Sequence, residues 1–192
     1  MAARIYEIRW HGRGGQGAVT AARVVAEAAY RKGYRGVTAS PSFGAERRGV
    51  PVSASTRISR QPILMLSQVA EPDVVVVLDQ TLLAYPEVTG GLKPGGTLIV
   101  NSARDPGGIG LNGRFNTVTA DATSISRELG LTLAGLTLVN IGILGAFVRA
   151  TGLVDRQSIA SVLRERFSGR ALEANLAAVE RTYEATVLDH RR

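Results

Sequence analysis

Residues 5–17 read IYEIRWHGRGGQG, and this stretch decides the fold class. Apolar and polar residues alternate over its first half, which is typical of a β-strand. The glycine pattern G-x-G-x-x-G follows at Gly12, Gly14 and Gly17, and an Ala/Val-rich segment from Ala18 onward has helical spacing. A strand, a tight turn and a helix start bring backbone N–H groups close to a phosphate. The sequence therefore predicts an α/β fold, in which the glycines either hold an anion at this turn or serve only the tight turn and the close contact between helix and strand.

Strand and helix signals alternate along the rest of the chain. The run Val74–Val77 has no polar residue, which is typical of a strand buried on both faces of a parallel sheet. Residues 52–58 alternate, which predicts a strand with one face toward solvent or a partner. The expected strands are 36–39, 52–58, 74–79, 97–101 and a last one at 115–120, and the expected helices are 17–32, 80–88, 122–129, 140–150, 155–167 and 171–190, with a short strand or helix at 63–66.

These signals predict one domain over residues 1–192. Its fold class is α/β, with a doubly wound, mainly parallel, Rossmann-like sheet and a helical C-terminal region. The first helix carries a narrow face of small residues, suited to close packing on a sheet. The two expected caps are Asp121 and Asp155, because each carboxylate directly precedes a helical pattern.

Composition excludes several classes of site. The sequence has no cysteine, so it forms no disulfide, thiolate zinc site, cysteine nucleophile or cysteine-held iron–sulfur cluster. The net charge of +7 comes from 21 arginines and two lysines that are scattered along the chain. Aromatic residues are few and are not interleaved with the basic ones, which argues against a nucleic-acid surface.

One tract, residues 131–148, is long and apolar, but it is interrupted by glycine, threonine and asparagine. A buried strand or turn followed by a packed helix explains it better than a membrane span. No signal peptide is evident, because Arg4, Glu7 and Arg9 lie within the first strand. The sequence therefore predicts a cytoplasmic protein that does not contact membranes.

The glycine pattern alone does not identify the ligand. A nicotinamide dinucleotide site needs an acidic residue at the end of the second strand, but residues 37–40 read VTAS and the next carboxylate is Glu46. Arg35 could serve a 2′-phosphate, but it precedes that strand and so lies at its wrong end. A small free-standing NAD(P)-dependent oxidoreductase is the alternative that stays open. In a second option, Gln16 presents its amide to an anion or to a partner's backbone at the helix start.

The loop at 40–51 holds the residues Glu46, Arg47 and Arg48. It leaves the carboxyl end of a strand, so in a parallel sheet it lies on the same edge as residues 12–17. The two guanidinium groups could then converge with the glycine loop on a phosphate. The alternative is a surface turn in which Glu46 pairs with a neighbouring arginine.

Residues suited to acid–base or metal chemistry are sparse. His11 is either a proton carrier or, more simply, a residue that packs against or caps the turn. Asp79 follows a buried strand and either faces the site or caps the next helix. No carboxylate pair, Ser/His/Asp set or metal-ligand cluster stands out, so no catalytic residue and no metal ligand is predicted.

Four segments together resemble a known family. They are IRWHGRGGQG (8–17), FGAERRGVPV (43–52), EPDVVVVLD (71–79), and VN (139–140) with LGAF (144–147). In this order they resemble the gamma subunit of 2-oxoacid:ferredoxin oxidoreductases of the pyruvate or 2-oxoglutarate synthase type. The resemblance runs from about residue 5 to about residue 170, and the pairing of the glycine–glutamine loop with ERRG is far more specific than the glycine pattern alone.

The resemblance implies a non-redox subunit of a larger enzyme. Such complexes decarboxylate a 2-oxoacid on thiamine diphosphate with Mg²⁺, and for this chain the expected 2-oxoacid is pyruvate, with 2-oxoglutarate as the second choice. They pass electrons through [4Fe-4S] clusters to ferredoxin and release an acyl-CoA. The alpha, beta and ferredoxin-like delta subunits hold these cofactors, so this chain is expected to bind none of them alone and to be inactive in isolation.

Within such a complex, the gamma subunit is expected to form a structural wall and to help bind coenzyme A. The residues expected to contact the anionic cofactor follow from their shared edge and their charge: Gly12, Arg13, Gly14, Gly15, Gln16, Gly17, Arg47 and Arg48. The alternating strand 52–58 and the arginine-rich surface are the expected partner contacts.

Overall fold

The structure, a computed structural model, describes residues 4–41, 49–65, 67–111 and 113–189. Strands and helices alternate over most of this length. The strands are β1 (Ile5–Arg13), β2 (Gly36–Pro41), β3 (Pro51–Ser59), β4 (Val74–Val77), β5 (Thr97–Asn101), β6 (Asn116–Ala120), β7 (Thr132–Leu133), β8 (Leu136–Thr137) and β9 (Val187–Leu188). The helices are α1 (Ala18–Arg31), α2 (Pro86–Thr89), α3 (Ala122–Glu128), α4 (Leu144–Thr151), α5 (Arg156–Arg166) and α6 (Gly169–Glu184), with 3₁₀ turns at Gln80–Ala84 and Pro106–Ile109.

Seven strands of the described chain form one mixed sheet in the order β2-β3-β1-β4-β5-β6-β9. The neighbours β1, β4, β5 and β6 run parallel. β3 lies antiparallel between β2 and β1, and β9 lies antiparallel on β6. Five of the seven strands therefore point the same way, which confirms the mainly parallel α/β sheet. β7 and β8 form a separate small hairpin.

The main hydrophobic core lies between one face of the sheet and the layer formed by α1, α4 and α5. Trp10 on β1 is fully buried there, and its indole Nε1 donates to Thr56 Oγ1 of β3 at 3.0 Å. The Thr56 hydroxyl in turn donates to the carbonyl of Ala22 in α1 at 3.0 Å, and the Trp10 ring packs on Phe147 of α4. One aromatic residue thus ties β1 to β3, α1 and α4, directly or through one hydroxyl. This arrangement fixes the carboxyl end of β1.

The opposite face of the sheet is covered unevenly. Over β4 and β5, a second core cluster packs under the segment 80–92; its members are Val75, Val77, Leu82, Val88, Leu92, Leu98 and Val100. Over β1, β3 and β2, the outward residues are polar, and the described residues beside them come from the irregular segment after β3, which includes Met65, and from the stretch 87–90. The predicted one-sided alternation of the third strand is therefore confirmed.

Several predicted boundaries are confirmed, and the rest have local reasons to differ. Asp121 and Asp155 cap α3 and α5 as predicted, through Ser124 N and Ser158 N. Of the predicted short element at 63–66, residue 66 lies outside the described residues and 63–65 form no regular structure, because the preceding Pro62 has no amide hydrogen and 63–65 have little buried face. The predicted helix 80–88 is instead a 3₁₀ turn and the short α2, divided before Pro86.

Two further expectations at the C-terminal end are wrong. The predicted helix 140–150 begins only at Leu144, because residues 139–143 form successive turns that lead into it. The predicted helix 171–190 begins at Gly169 and ends at Glu184, and the chain then adds β9 to the sheet, so 115–120 is not the last strand. No helix in the described ranges is long and apolar enough to cross a membrane.

Candidate functional site

The first half of the glycine motif is strand rather than loop. β1 continues through Arg13, with Gly12 opposite Val52 and Arg13 opposite Pro51 on β3. Gly14 extends this pairing, because its N–H donates to the Val50 carbonyl at 2.8 Å and its carbonyl accepts from Gly49 N at 3.1 Å. The turn itself is therefore confined to residues 14–17.

Two glycines and one glutamine shape this turn. Gly15 and Gly17 have φ of 94° and 82°, values at which side chains are strained. Gln16 donates from its N–H to the Arg13 carbonyl at 2.9 Å, and its side-chain Oε1 accepts from Arg13 N at 2.7 Å. The glutamine side chain therefore closes the turn from within, which uses its amide oxygen and leaves only its NH₂ for a ligand.

Several backbone donors are left at the start of α1. Gly17 is the N-cap residue and carries no side chain to cap the helix. Within the described residues, no atom accepts a hydrogen bond from the N–H groups of Gly15 and Gly17 or from those of the first helical turn, Ala18 to Thr20. Free N–H groups at a helix start, with the positive end of its dipole, favour an anion.

Arg13 links three segments at this edge. Its Nε donates to Asp79 Oδ2 at 2.9 Å, its Nη2 to Thr81 Oγ1 at 2.7 Å and its Nη1 to the Gly49 carbonyl at 3.2 Å. Burial acts to raise the pKa of Asp79, but hydrogen bonds from Thr81 and Arg13 outweigh it and the pKa lies below its ordinary value. Asp79 also caps the 3₁₀ turn through Thr81 N. Arg13 therefore holds the site together as much as it offers charge to a ligand.

The predicted site residues Arg47 and Arg48, with Glu46, lie outside the described residues. The structure does describe where their segment is anchored. Pro41 ends β2, and Gly49 and Val50 hydrogen-bond to Gly14 just before β3 begins. The shared edge is therefore confirmed for the two ends of this segment. The predicted reason also holds, because β2 runs in the same direction as β1 and its carboxyl end therefore lies at the same edge, although the antiparallel β3 separates the two strands.

A cleft of about 350 Å³ opens beside the glycine turn, at the carboxyl ends of β4, β5 and β6. Its lining is polar and includes residues that the sequence reasoning missed, chiefly Gln80, Asn101, Ser102 and Thr123. Asn101 Nδ2 donates to the Leu78 carbonyl at 2.9 Å, and Ser102 Oγ donates to Gln80 Oε1 at 2.6 Å. The sequence did contain a signal for these residues, because the residues that follow each strand of a parallel sheet lie at this edge.

His11 lies on the other face of β1, away from α1. Burial, and next the charge of Arg9, lowers the pKa of His11 to about 4. Its Nε2 accepts a hydrogen bond from Arg9 Nε at 3.0 Å, so the ring proton of the neutral form is on Nδ1. A proton carrier near neutral pH needs a pKa near the working pH, so His11 is a packing and positioning residue.

Changing His11 to glutamine should flatten the acid side of the stability profile. The pKa of His11 is lower in the folded chain than its ordinary 6.5, so the unfolded chain binds more protons between pH 6.5 and about 4, and stability falls as the pH falls through this range. Between pH 7 and 5 the parent chain should lose about 1–2 kcal/mol more free energy of unfolding than His11→Gln. Urea unfolding at both pH values checks this, and equal losses would show that His11 titrates normally.

Comparison with known proteins identifies the family of this chain. A family model, pyruvate ferredoxin/flavodoxin oxidoreductase, matches residues 7–185. This chain belongs to that family. It is 46% identical over 193 residues to the pyruvate/ketoisovalerate oxidoreductases common subunit gamma of Thermococcus kodakarensis, covering 95% of this chain and 97% of that protein. It is 43% identical over 177 residues to the pyruvate synthase subunit PorC of Methanocaldococcus jannaschii, covering 92% and 94%.

The fold comparison agrees. The crystal structure of the pyruvate oxidoreductase subunit PORC of Thermotoga maritima matches with a TM-score of 0.84 and 36% identity, over 97% of this chain and 99% of that one. The resemblance drawn from the four sequence segments is therefore confirmed, and the similarity extends over nearly the full length of these gamma-type relatives.

The dinucleotide alternative fits this fold poorly. In a dinucleotide-binding sheet, the strand whose end reads the ribose is the parallel neighbour of the first strand. Here the neighbour on that side is β3, which runs antiparallel, and β2 lies one position further out. The described residues of β2, GVTASP, carry no carboxylate. The glycine motif therefore does not serve as a conventional nicotinamide site.

Proposed function

We propose that this chain is the gamma subunit of a multi-subunit, thiamine diphosphate- and iron–sulfur-dependent 2-oxoacid:ferredoxin oxidoreductase, which converts a 2-oxoacid and coenzyme A to an acyl-CoA. Pyruvate is the first substrate to test, since both curated relatives carry pyruvate in their names, and 2-oxoglutarate is the second. The name "common subunit gamma" describes a relative shared by two oxidoreductases. It supports the view that other subunits select the 2-oxoacid.

The redox cofactors belong to other chains in this proposal. Iron–sulfur clusters are held by cysteine thiolates, and this sequence has no cysteine. The described residues also bring no group of three or more metal-binding side chains together. Thiamine diphosphate, Mg²⁺ and [4Fe-4S] clusters are therefore assigned to the alpha, beta and ferredoxin-like delta subunits, with ferredoxin as the acceptor of the complex. Isolated, the chain is expected to be inactive.

The contribution of this chain is contact with the diphosphate of coenzyme A. One observation supports this proposal: Gly14 hydrogen-bonds to Gly49 and Val50, so the residue that directly follows Arg48 in the sequence lies next to the turn that holds the free N–H groups of Gly15 and Gly17. Backbone N–H groups and guanidinium forks are the two donor types that bind a diphosphate best. The expected contacts are the eight residues at 12–17, 47 and 48.

Replacing Arg47 and Arg48 by alanine should raise the apparent KM for coenzyme A in the reconstituted complex. A hydrogen bond to a charged group contributes about 1.5–3 kcal/mol, so losing one or both guanidinium contacts should raise KM at least about tenfold. Assembly and the KM for the 2-oxoacid should change little. Steady-state kinetics with coenzyme A as the varied substrate measures this.

The matched control is Arg35→Ala with Arg60→Ala. This pair removes the same charge from exposed arginines at the opposite edge of the sheet, where Arg35 precedes β2 and Arg60 follows β3. A simple loss of net charge would raise KM equally in both double variants. Unchanged coenzyme A kinetics in Arg47→Ala/Arg48→Ala would reject the ligand contact and leave the segment a structural one.

A further inference from the structure

The uncovered part of the sheet carries an ordered array of polar side chains. In the register of β1, β3 and β2, Arg9 lies opposite Ser55, which lies opposite Ser40, and His11 lies opposite Ser53. With Arg57 in the next row, where it pairs with Glu7, these side chains form the floor of a pocket of about 590 Å³. A sheet face in an α/β fold is ordinarily covered by helices, so a polar floor of this size is unusual for this architecture.

The irregular segment beside this floor exposes apolar side chains that a core element would bury. Met65 lines the pocket and is 47% exposed, and the adjacent Leu64 is 93% exposed. Ser67 and Gln68 add hydrogen-bonding groups to the same wall. An exposed apolar side chain in the wall of a polar pocket, with a second one next to it in the sequence, is the mixture found at protein–protein interfaces, where burial and specific polar contacts occur side by side.

The charge in this pocket comes from Arg9. Arg57 is nearly fully buried and is neutralised by Glu7, with Nε to Oε1 at 2.8 Å. Arg9 donates through Nη2 to the carbonyls of Glu87, Val88 and Gly90 and through Nε to His11, all neutral acceptors.

Within the described residues, no carboxylate lies in ion-pair distance of Arg9, and the exposed Glu87 side chain lies at the rim. Arg9 Nη1 makes no hydrogen bond in this part of the chain. His11 adds no charge, because it is neutral near pH 7. The floor therefore presents a half-buried cation, flanked by serine hydroxyls, whose charge is not compensated in place.

We infer that this pocket receives an acidic side chain of another subunit, which pairs with Arg9 while an apolar neighbour on the same segment packs on Leu64 and Met65. Charge complementarity favours the carboxylate, and the exposed apolar residues at the mouth favour a protein segment over a small free acid. The inference rests on the proposed function, because it needs a complex in which another subunit covers this face.

A charge series at Met65 tests the pocket without disturbing the floor. Met65→Gln is the neutral control, Met65→Glu adds a negative charge at the wall and Met65→Lys adds a positive one. The full-length chain is mixed with the remaining subunits of its complex, and the dissociation constant is measured at low and high salt. Met65→Glu should bind at least about tenfold more weakly than Met65→Gln at low salt, and Met65→Lys equally or more tightly. High salt should narrow this difference.

A second pair, Ser55→Asp and Ser55→Asn, places the change on the floor opposite Arg9. The aspartate should satisfy Arg9 internally and weaken assembly, and the isosteric asparagine should not. Melting of each variant chain shows that it is folded. Equal affinities across both series, or weaker binding of Met65→Lys than of Met65→Glu, would overturn the inference.

Two further outcomes separate the possible sources of the carboxylate and the two proposals. Acetate and pyruvate are titrated into the isolated parent chain and into Ser55→Asp. If the parent chain binds these acids, Ser55→Asp does not, and both chains assemble equally well, the pocket is a site for a small acid and the inference is overturned. If the parent chain recruits no other subunit, the proposed function fails and the inference fails with it. If the parent chain assembles but the charge series has no effect, only the inference fails.

Discussion

Replacing Gly145 by alanine should destabilise the chain by at least about 3 kcal/mol. Helix propensity alone predicts the opposite sign, because alanine is favoured over glycine in a helix interior by about 1 kcal/mol. Packing decides the outcome, since an added Cβ would lie 2.2 Å from the Val179 carbonyl oxygen and 2.6 Å from Tyr183 N, both in the backbone of α6. Neither atom can rotate away, so α4 and α6 must separate, and thermal unfolding should show a Tm about 6–12 °C lower.

Gly142→Ala is the matched control three residues earlier on the same segment. There an added Cβ would meet only side-chain atoms, with Ser126 Oγ the nearest at 3.3 Å. A hydroxyl can turn aside, so the free energy of unfolding should change by no more than about 1 kcal/mol. Equal effects at the two positions would mean that the α4–α6 contact is not the tight backbone approach described above.

The sequence was sufficient to predict the fold class, because its strongest signals are local. The unbroken run Val74–Val77 and the glycine turn after β1 each specify one structure in any α/β sheet. What it did not predict depends on pairing between distant strands. Nothing local in residues 52–58 distinguishes a strand that pairs antiparallel between two others from one at a parallel position. The two-residue strand β9 is likewise too short to leave a pattern.

Part of the candidate site was likewise predictable from local sequence, and part was not. The position of the turn was predicted from its glycines, because only glycine tolerates these backbone angles and close contacts. Arg13 remains one of the predicted anion contacts, and the structure adds its bonds to Asp79, Thr81 and the Gly49 carbonyl, which the sequence did not indicate. A charged residue's partner lies wherever the fold brings an opposite charge, in this case 66 positions away. That distance is invisible to motif spacing, and so was the cleft lined by Asn101 and Ser102.

The polar face of β1 and β3 is either exposed to water or covered by a partner subunit. An alternation of apolar and polar residues in β3 is explained as well by water as by a partner. The register favours the inferred partner, because it places Arg9 beside Ser55, and Arg9 has no ion pair with a carboxylate of the described chain. Burial without compensation costs free energy in the isolated subunit, and a partner's carboxylate would recover it.

Gly17→Ala should be the most damaging substitution in the glycine turn, with a loss of about 3 kcal/mol or more in the free energy of unfolding. Two costs add at this position. Its φ of 82° disfavours any side chain by about 1–2 kcal/mol, and an added Cβ would lie 2.3 Å from Asn140 Nδ2 and 2.8 Å from Asn140 Cγ. Because Gly17 is the N-cap of α1, relief of the clash moves the helix start, and in the assembled enzyme the KM for coenzyme A should rise as well.

Two controls separate these costs. Gly110 has a similar φ of 78°, but an added Cβ meets no atom within 4 Å, so Gly110→Ala should show the backbone cost of about 1–2 kcal/mol alone. In the double variant Gly17→Ala/Asn140→Ala, the clashing amide is gone, and the effects of the two changes should be less than additive by at least about 1 kcal/mol. Urea unfolding of the four chains of this cycle measures the coupling. Strict additivity would show that Asn140 does not press on the turn, and the N–H groups proposed to bind an anion would then owe their position to the glycine backbone angles alone.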